Sequence, residues 1–170
     1  MKKILLIALL LSVGFCQQEY DGNDLIKMDN GLYTVKFSDE PITGKVYGYY
    51  GDVKPYKKVY IGNLIIGKKV GRWVDYYHNT GKKVYDENYK DGEKDGLWTW
   101  WYENGQKMRN MYFSTRNDKE LFIEWYKNGI IRRKGHTNRE NKEIGKWYFY
   151  NEKGSLIKVK DCDKEDCNKP

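Results

Sequence analysis

Four stretches of this chain, which start at residues 71, 96, 120 and 145, repeat one pattern. They read GRWVDYYHNTGKK, GLWTWWYENGQK, ELFIEWYKNGII and GKWYFYNEKGSL, and we number them units 1 to 4. The third and sixth residues of every unit are aromatic: Trp73 and Tyr76, Trp98 and Trp101, Phe122 and Trp125, Trp147 and Tyr150. A fixed period of this length is typical of repeat proteins, in which each unit packs mainly against its neighbours.

Each unit has the pattern of a β-hairpin. Its first strand is rich in aromatic and β-branched residues, which half-buried pleated surfaces favour. Asn-Gly pairs predict two-residue hairpin turns, because both residues tolerate positive φ. Such pairs occur at Asn30-Gly31, Asn104-Gly105 and Asn128-Gly129. A weaker copy of the pattern starts at Gly44, and no stretch after residue 16 has helical periodicity. The predicted fold is therefore all-β, an elongated antiparallel meander of successive β-hairpins.

The aromatic residues within one unit cannot all share a face of a flat strand. Positions three and six differ by an odd number, so they point to opposite faces unless a bulge shifts the register. Trp98 and Trp100 would then lie on one face and Trp101 on the other. We interpret the third position as core. A sheet does not need Trp100, Trp101 and Trp125 for that core, so they are the candidate contacts with a partner.

The repeats resemble those of a known family. GLWTWWYENGQK, the linker YKDGEKDG and the stretch PITGKVYGYY at residues 41–50 resemble the MORN-type repeats of bacterial YwqK-like antitoxin proteins. The resemblance covers residues 24–156, although Glu120 stands where glycine is expected and Phe122 where Trp is expected. It implies an elongated sheet of hairpins without catalytic residues. MORN repeats are also linked to lipid binding and to protein scaffolding, which makes both of them expectations here.

The first residues are typical of an export signal. Lys2 and Lys3 precede the apolar run ILLIALLLSV, which is too short to span a bilayer. The sequence therefore predicts export to the periplasm, the outer membrane or the cell envelope. LSVGFC resembles a lipobox and predicts lipidation of Cys16, although Phe15 stands where a small residue is usual. Cleavage after Gly14 is the alternative.

These features predict four segments. They are a signal at residues 1–16, an N-terminal hairpin at 17–40, the repeats at 41–160 and an acidic tail at 161–170. The tail contains Cys162 and Cys167, which would close a small disulfide loop in an oxidising compartment. A metal site would need other ligands, and both histidines are distant in sequence. We expect no metal and no cofactor.

Two motifs suggest chemistry, and we interpret both as structural. GNLIIGKK at residues 62–69 matches most of a phosphate-binding P-loop, but Lys69 replaces the Ser or Thr and a strand follows instead of a helix. We therefore expect a hairpin turn at Gly62-Asn63. Asp75 and Glu124 occupy the same position in two distant units, so we interpret them as exposed strand residues and not as an acid/base pair. No enzymatic activity is expected.

Composition and charge limit the partners. The chain is 16% aromatic and 32% charged, which predicts a folded body and excludes a multi-span membrane protein. Its net charge of +7 is spread without a basic block and favours anionic glycan or lipid surfaces. Export argues against a nucleic-acid partner. We therefore expect a non-catalytic binding or scaffold protein that engages a protein partner through aromatic residues. The alternative is an antitoxin or immunity protein that neutralises a toxin by binding it.

Overall fold

A computed structural model describes residues 18–51, 54–114, 119–164 and 167. The strands in this part of the chain are β1 (Glu19–Asp21), β2 (Leu25–Lys27), β3 (Tyr33–Val35), β4 (Gly44–Tyr50), β5 (Lys57–Ile65), β6 (Lys68–Tyr76), β7 (Lys83–Lys90), β8 (Glu93–Lys94), β9 (Gly96–Trp101), β10 (Lys107–Phe113), β11 (Glu120–Trp125), β12 (Ile131–Thr137), β13 (Glu143–Tyr150) and β14 (Leu156–Asp161). A single 3₁₀ turn covers Gly22–Asp24. The all-β prediction is confirmed. Within the same residues, no helix has the length and apolar character needed to cross a membrane.

One long open sheet carries the repeats. Its order is β1-β4-β5-β6-β7-β9-β10-β11-β12-β13-β14, with β8 beside β7, while β2 and β3 form a separate hairpin. From β4 onward, neighbouring strands along the sheet are antiparallel, as a meander requires. The exception is β1, which pairs with β4 in parallel. The sheet has two ends, so successive units extend it in one direction.

The Asn-Gly pairs lie at hairpin turns as predicted, but the predicted two-residue turn type is wrong. The Gly105 N–H donates to the Tyr102 carbonyl and the Tyr102 N–H to the Gln106 carbonyl, so the loop has three residues, and of the Asn-Gly pair only the glycine has positive φ. Gly31, Gly105 and Gly129 have φ of 82°, 90° and 85°, and each follows an asparagine between two antiparallel strands. The turn predicted at Gly62-Asn63 is wrong, because both residues lie inside β5. A Cβ on Gly62 would lie 2.2 Å from the ring of Trp73. This glycine therefore marks a close approach between a backbone and a ring.

The sheet has two clusters of buried side chains. The repeat core consists of Trp98, Met111, Phe113, Phe122 and Trp147. The N-terminal core consists of Ile42, Val46, Leu64 and Trp73. All four third-position rings are thus buried, as the sequence predicted. Directly paired residues such as Trp98, Met111 and Phe122 place the repeat core on one face of the sheet, which we call the core face.

A β-bulge in each return strand resolves the question of the two faces. In unit 2 the register shifts between Lys107 and Arg109, so the extra residue lies on β10 while β9 alternates regularly. The rings of Trp98 and Trp100 are 5.6 Å apart on the core face. Regular alternation places Trp101 on the opposite face, which we call the outer face.

Candidate functional site

The structure does not bring the three candidate contact tryptophans together. Trp100 is half-buried on the core face and packs against the repeat core. Trp101 and Trp125 are also half-buried, but they lie on the outer face at the ends of β9 and β11. A surface that uses Trp101 and Trp125 together therefore leaves out Trp100.

Three exposed apolar side chains lie side by side on the outer face. Tyr112 pairs directly with Leu97 on one side and with Leu121 on the other. Their exposed fractions are 52%, 46% and 43%. We call these three residues the outer patch. Trp101 and Trp125 lie four residues beyond Leu97 and Leu121 on the same strands, so they share this face.

Comparison of the units shows that the fold does not require this patch. The second position of a unit is exposed in all four units and is occupied by Arg72, Leu97, Leu121 and Lys146. The two flanking units thus have a cation where the two central units have leucine. The sixth position follows the same division, with Trp101 and Trp125 in the central units and tyrosine in the others. Exposed leucine at the second position, with tryptophan at the sixth, is a property of units 2 and 3, although the last strand of unit 4 also exposes Leu156 and Val159 on the outer face.

Lysine side chains lie beside both outer-face tryptophans. The Nζ atom of Lys83 is 5.3 Å from the ring centroid of Trp101, and that of Lys107 is 5.9 Å from the ring centroid of Trp125. Lys83 also donates a hydrogen bond of 2.8 Å to Asp86. Because lysine stems cover apolar surface while their charged ends stay in water, these contacts explain why both rings are half-buried.

A row of tyrosine hydroxyls fixes the backbone at the sixth position. Tyr77, Tyr102 and Tyr126 donate hydrogen bonds of 2.9, 2.8 and 2.8 Å to the main-chain carbonyls of Trp101, Trp125 and Tyr150. Each bond joins one unit to the next, and we call the row the tyrosine ladder. Sequence reasoning missed it, although a tyrosine follows the sixth position in units 1 to 3. In unit 4 this position is Asn151.

A cleft of about 510 Å³ between the N-terminal hairpin and strands β4 to β7 is a second candidate site. Asp75 in this cleft accepts a short hydrogen bond from the Tyr50 hydroxyl and a 2.9 Å bond from the Tyr76 N–H. Burial, and then the adjacent Asp75, raises the pKa of Tyr50 and of Tyr85. Asp75 thus braces β6 against β4.

The interpretation of Asp75 and Glu124 as exposed strand residues is wrong. Asp75 is half-buried, and Glu124 is only 7% exposed. Glu124 accepts hydrogen bonds of 3.0 Å from Arg132 and 2.6 Å from Arg133. Both carboxylates lie on the core face, where burial requires the partners that each has found.

The remaining site predictions concern the two ends of the chain. A disulfide joins Cys162 and Cys167. The Glu143 carboxylate lies close to their sulfurs but forms a 2.7 Å ion pair with Arg133. Cys16 and the predicted signal lie outside the residues that the structure describes.

Comparisons of this chain with protein-family models, with curated proteins and with solved structures found no match. The MORN-type resemblance therefore stays a prediction from the sequence. The β-hairpin repeat architecture is observed directly in the sheet.

Proposed function

We propose that this chain is a non-catalytic binding protein whose outer patch engages a protein partner. The single observation that supports this proposal is the difference among the units. Units 1 and 4 fold with Arg72 and Lys146 at the exposed second position, where units 2 and 3 have Leu97 and Leu121. The fold accepts a cation at this position, so it does not need the leucines of units 2 and 3. A role in binding explains why these apolar side chains lie in water.

The shape and composition of the surface favour a protein over a small ligand. Small molecules bind in concave pockets that enclose most of their surface. The outer patch instead lies across three adjacent strands of an open sheet, with Trp101 and Trp125 beside it. Aromatic residues within a polar, solvent-accessible rim are typical of protein interfaces. The sequence further predicts that the partner belongs to the cell envelope.

The test uses residues that the repeat already accepts. A Leu97→Lys, Leu121→Lys double variant places at both positions the cation that Lys146 provides in unit 4. We expect its melting temperature to stay close to that of the wild type, because both side chains are exposed. Affinity capture from an envelope extract should recover one stoichiometric protein with the wild type and lose it with the double variant.

The matched control places a charge of the same kind outside the patch. Ile157, on β14, is 63% exposed, so Ile157→Lys should capture the partner as the wild type does. Equal capture by the wild type and the double variant would contradict the proposal, and so would retention of glycan or lipid alone.

A further inference from the structure

A second pocket lies where three turns meet at one end of strands β5, β6 and β7. These turns join β2 to β3, β5 to β6, and β7 to β8. They line an open pocket of about 240 Å³, which is larger than the roughly 30 Å³ that a water molecule occupies in the liquid. Six side chains supply its polar and aromatic lining: Lys27, Tyr33, Lys68, Lys69, Tyr89 and Lys94. We call it the lysine pocket.

The positive charge of this pocket is only partly compensated. None of its four lysines forms a salt bridge in the described part of the chain. The acidic residues of the neighbouring turns, Asp29, Asp91 and Glu93, are exposed and do not line the cavity. The nearest buried carboxylate belongs to Glu87, which accepts a 2.8 Å hydrogen bond from the Tyr89 hydroxyl. Glu87 attracts both Lys69 and Lys94, while Asp75 attracts Lys69 and Glu120 attracts Lys94, so the four lysines outnumber the carboxylates that act on them.

Lys69 shows that the pocket is more than a set of solvated lysines. This residue is half-buried, and its Nζ atom lies 4.4 Å from the ring centroid of Trp73, 4.9 Å from that of Tyr89 and 5.7 Å from that of Tyr33. Burial lowers its pKa, Glu87 opposes that effect, and Lys27 adds to it. The rings hold the cation in place but cannot accept strong hydrogen bonds, so the N–H groups of Lys69 remain able to donate to a ligand.

We propose that the lysine pocket binds a phosphate or sulfate group. A tetrahedral oxyanion carries several acceptor oxygens and multiple negative charge, and ammonium donors in a partly dehydrated site bind such a group strongly. Two of the lysines, Lys68 and Lys69, end the segment that matches most of a P-loop. This segment folds into the β5–β6 hairpin, so it lacks the helix that a P-loop opens. Its contribution to the pocket is side-chain charge.

Titration calorimetry on the full chain tests the proposal. The probes are inorganic phosphate and inorganic sulfate, with chloride adjusted to hold the ionic strength constant. The expected result is saturable binding of one anion per chain. Lys27→Gln and Lys68→Gln should each weaken binding about tenfold or more, because each variant loses a charge-assisted hydrogen bond to the anion. Both variants keep Lys69, whose packing against rings makes it the riskier residue to replace.

Controls separate the pocket from general charge. Lys57→Gln and Lys153→Gln remove the same charge at exposed lysines that do not line the cavity, and binding should be unchanged. Equal weakening in the pocket variants and the control variants would overturn the proposal. So would the absence of binding in every titration, including the vesicle measurement below.

A second measurement identifies where the phosphate comes from. Flotation with phosphatidylcholine vesicles, with and without phosphatidic acid, presents the same phosphate monoester on a lipid. Binding that only the pocket variants lose supports the pocket in either form, as a site for a soluble anion or for a headgroup. The Leu97→Lys, Leu121→Lys double variant should bind phosphate as the wild type does, so the two proposals can fail independently.

Discussion

The N-terminal core and the repeat core both bury apolar surface on the sheet, but they do so with different side chains. Val46 and Leu64 in the N-terminal core are 0% exposed, and aliphatic groups suffice there because Leu25, Tyr33 and Val35 from the N-terminal segment pack against that core. All members of the repeat core come from strands of the sheet itself. There the rings cover one another, with centroids 4.9 Å apart for Trp98 and Phe113 and 5.2 Å apart for Phe122 and Trp147.

This difference explains why so polar a chain concentrates tryptophan in its repeats. A sheet face without a second layer must bury apolar area between its own neighbouring side chains. Large rings do this best, because each one buries about 150–250 Å² and has few rotatable bonds. Where a second layer is present, as above Val46, smaller residues fill the space.

The largest expected effect is that of removing a repeat ring. Trp147 is 1% exposed and donates a 3.0 Å hydrogen bond from its indole N–H to the His136 carbonyl. Trp147→Ala should lower the free energy of unfolding by about 3–5 kcal/mol, and Leu64→Ala in the N-terminal core by about 2–5 kcal/mol. Chemical denaturation followed by circular dichroism measures both. A cost below about 1 kcal/mol for Trp147→Ala would show that the rings do not carry the repeat core.

A smaller effect is expected from filling the glycine notches that accommodate these rings. A Cβ on Gly135 would lie 2.4 Å from the Trp147 ring, and a Cβ on Gly62 would lie 2.2 Å from the Trp73 ring. Overpacking should cost about 1–3 kcal/mol for Gly135→Ala. We expect Gly62→Ala to cost less, because the indole N–H of Trp73 has no hydrogen-bond partner in the described chain and its ring can shift more easily. Thermal melts of the two variants decide the order, and the reverse order would contradict this reasoning.

A third prediction concerns the tyrosine ladder, which among the described residues joins repeat units. Tyr102→Phe removes the hydroxyl that donates to the Trp125 carbonyl and should cost about 1 kcal/mol. The matched control is Tyr112→Phe on the outer face, where the side chain is 52% exposed and stability should not change. Equal unfolding free energies for the two variants would mean that the ladder adds no stability.

The smallest expected effect lies at the junction of the two cores. Glu87 pairs with Trp73 across the strands and is 8% exposed, and burial raises its pKa. The folded state therefore holds this proton more tightly than the unfolded state. The resulting stability is complete below the ordinary carboxyl pKa of 4.5 and is lost as the pH rises through the folded value.

Replacing Glu87 with glutamine should remove that pH dependence. We expect Glu87→Gln to be more stable than the wild type at neutral pH, by less than about 1 kcal/mol, and to lose the advantage below pH 4.5. Melting temperatures measured across this range are the test. A variant that is less stable at neutral pH would show that the attraction of Lys69 and Lys94 for the charged carboxylate outweighs its burial.

The sequence predicted the parts of the fold that repeat. The third-position rings and the turn glycines recur every 24 or 25 residues, so a local pattern was enough to place Trp98 in a core and Gly105 in a turn. Apart from Trp73, the N-terminal core has no such period, because Ile42 and Leu64 come from segments that only the tertiary structure brings together. The same reason hides the lysine pocket, whose members come from three separate turns.

Errors and gaps in the candidate site have a similar origin. Glycine has two uses, and nothing local to Gly62 distinguishes a turn from contact with a distant ring. Burial of Glu124 depends on Arg133, which lies on the next strand. The outer patch, by contrast, can be recognised from the sequence alone by aligning the four units. Comparing Leu97 and Leu121 with Arg72 and Lys146 would have identified it before the face was known.

The tyrosine ladder makes the molecule modular in length. Each bond goes to a main-chain carbonyl, which any unit provides whatever its side chains, so the joint between units does not depend on the sequence of the next one. Neighbouring strands are about 4.8 Å apart, so one more two-strand unit lengthens the sheet by roughly 10 Å. Asn151 ends the series without a phenol that would need an acceptor beyond the last unit. A chain built this way can change its span by duplication in fixed steps, while its outer surface diverges unit by unit.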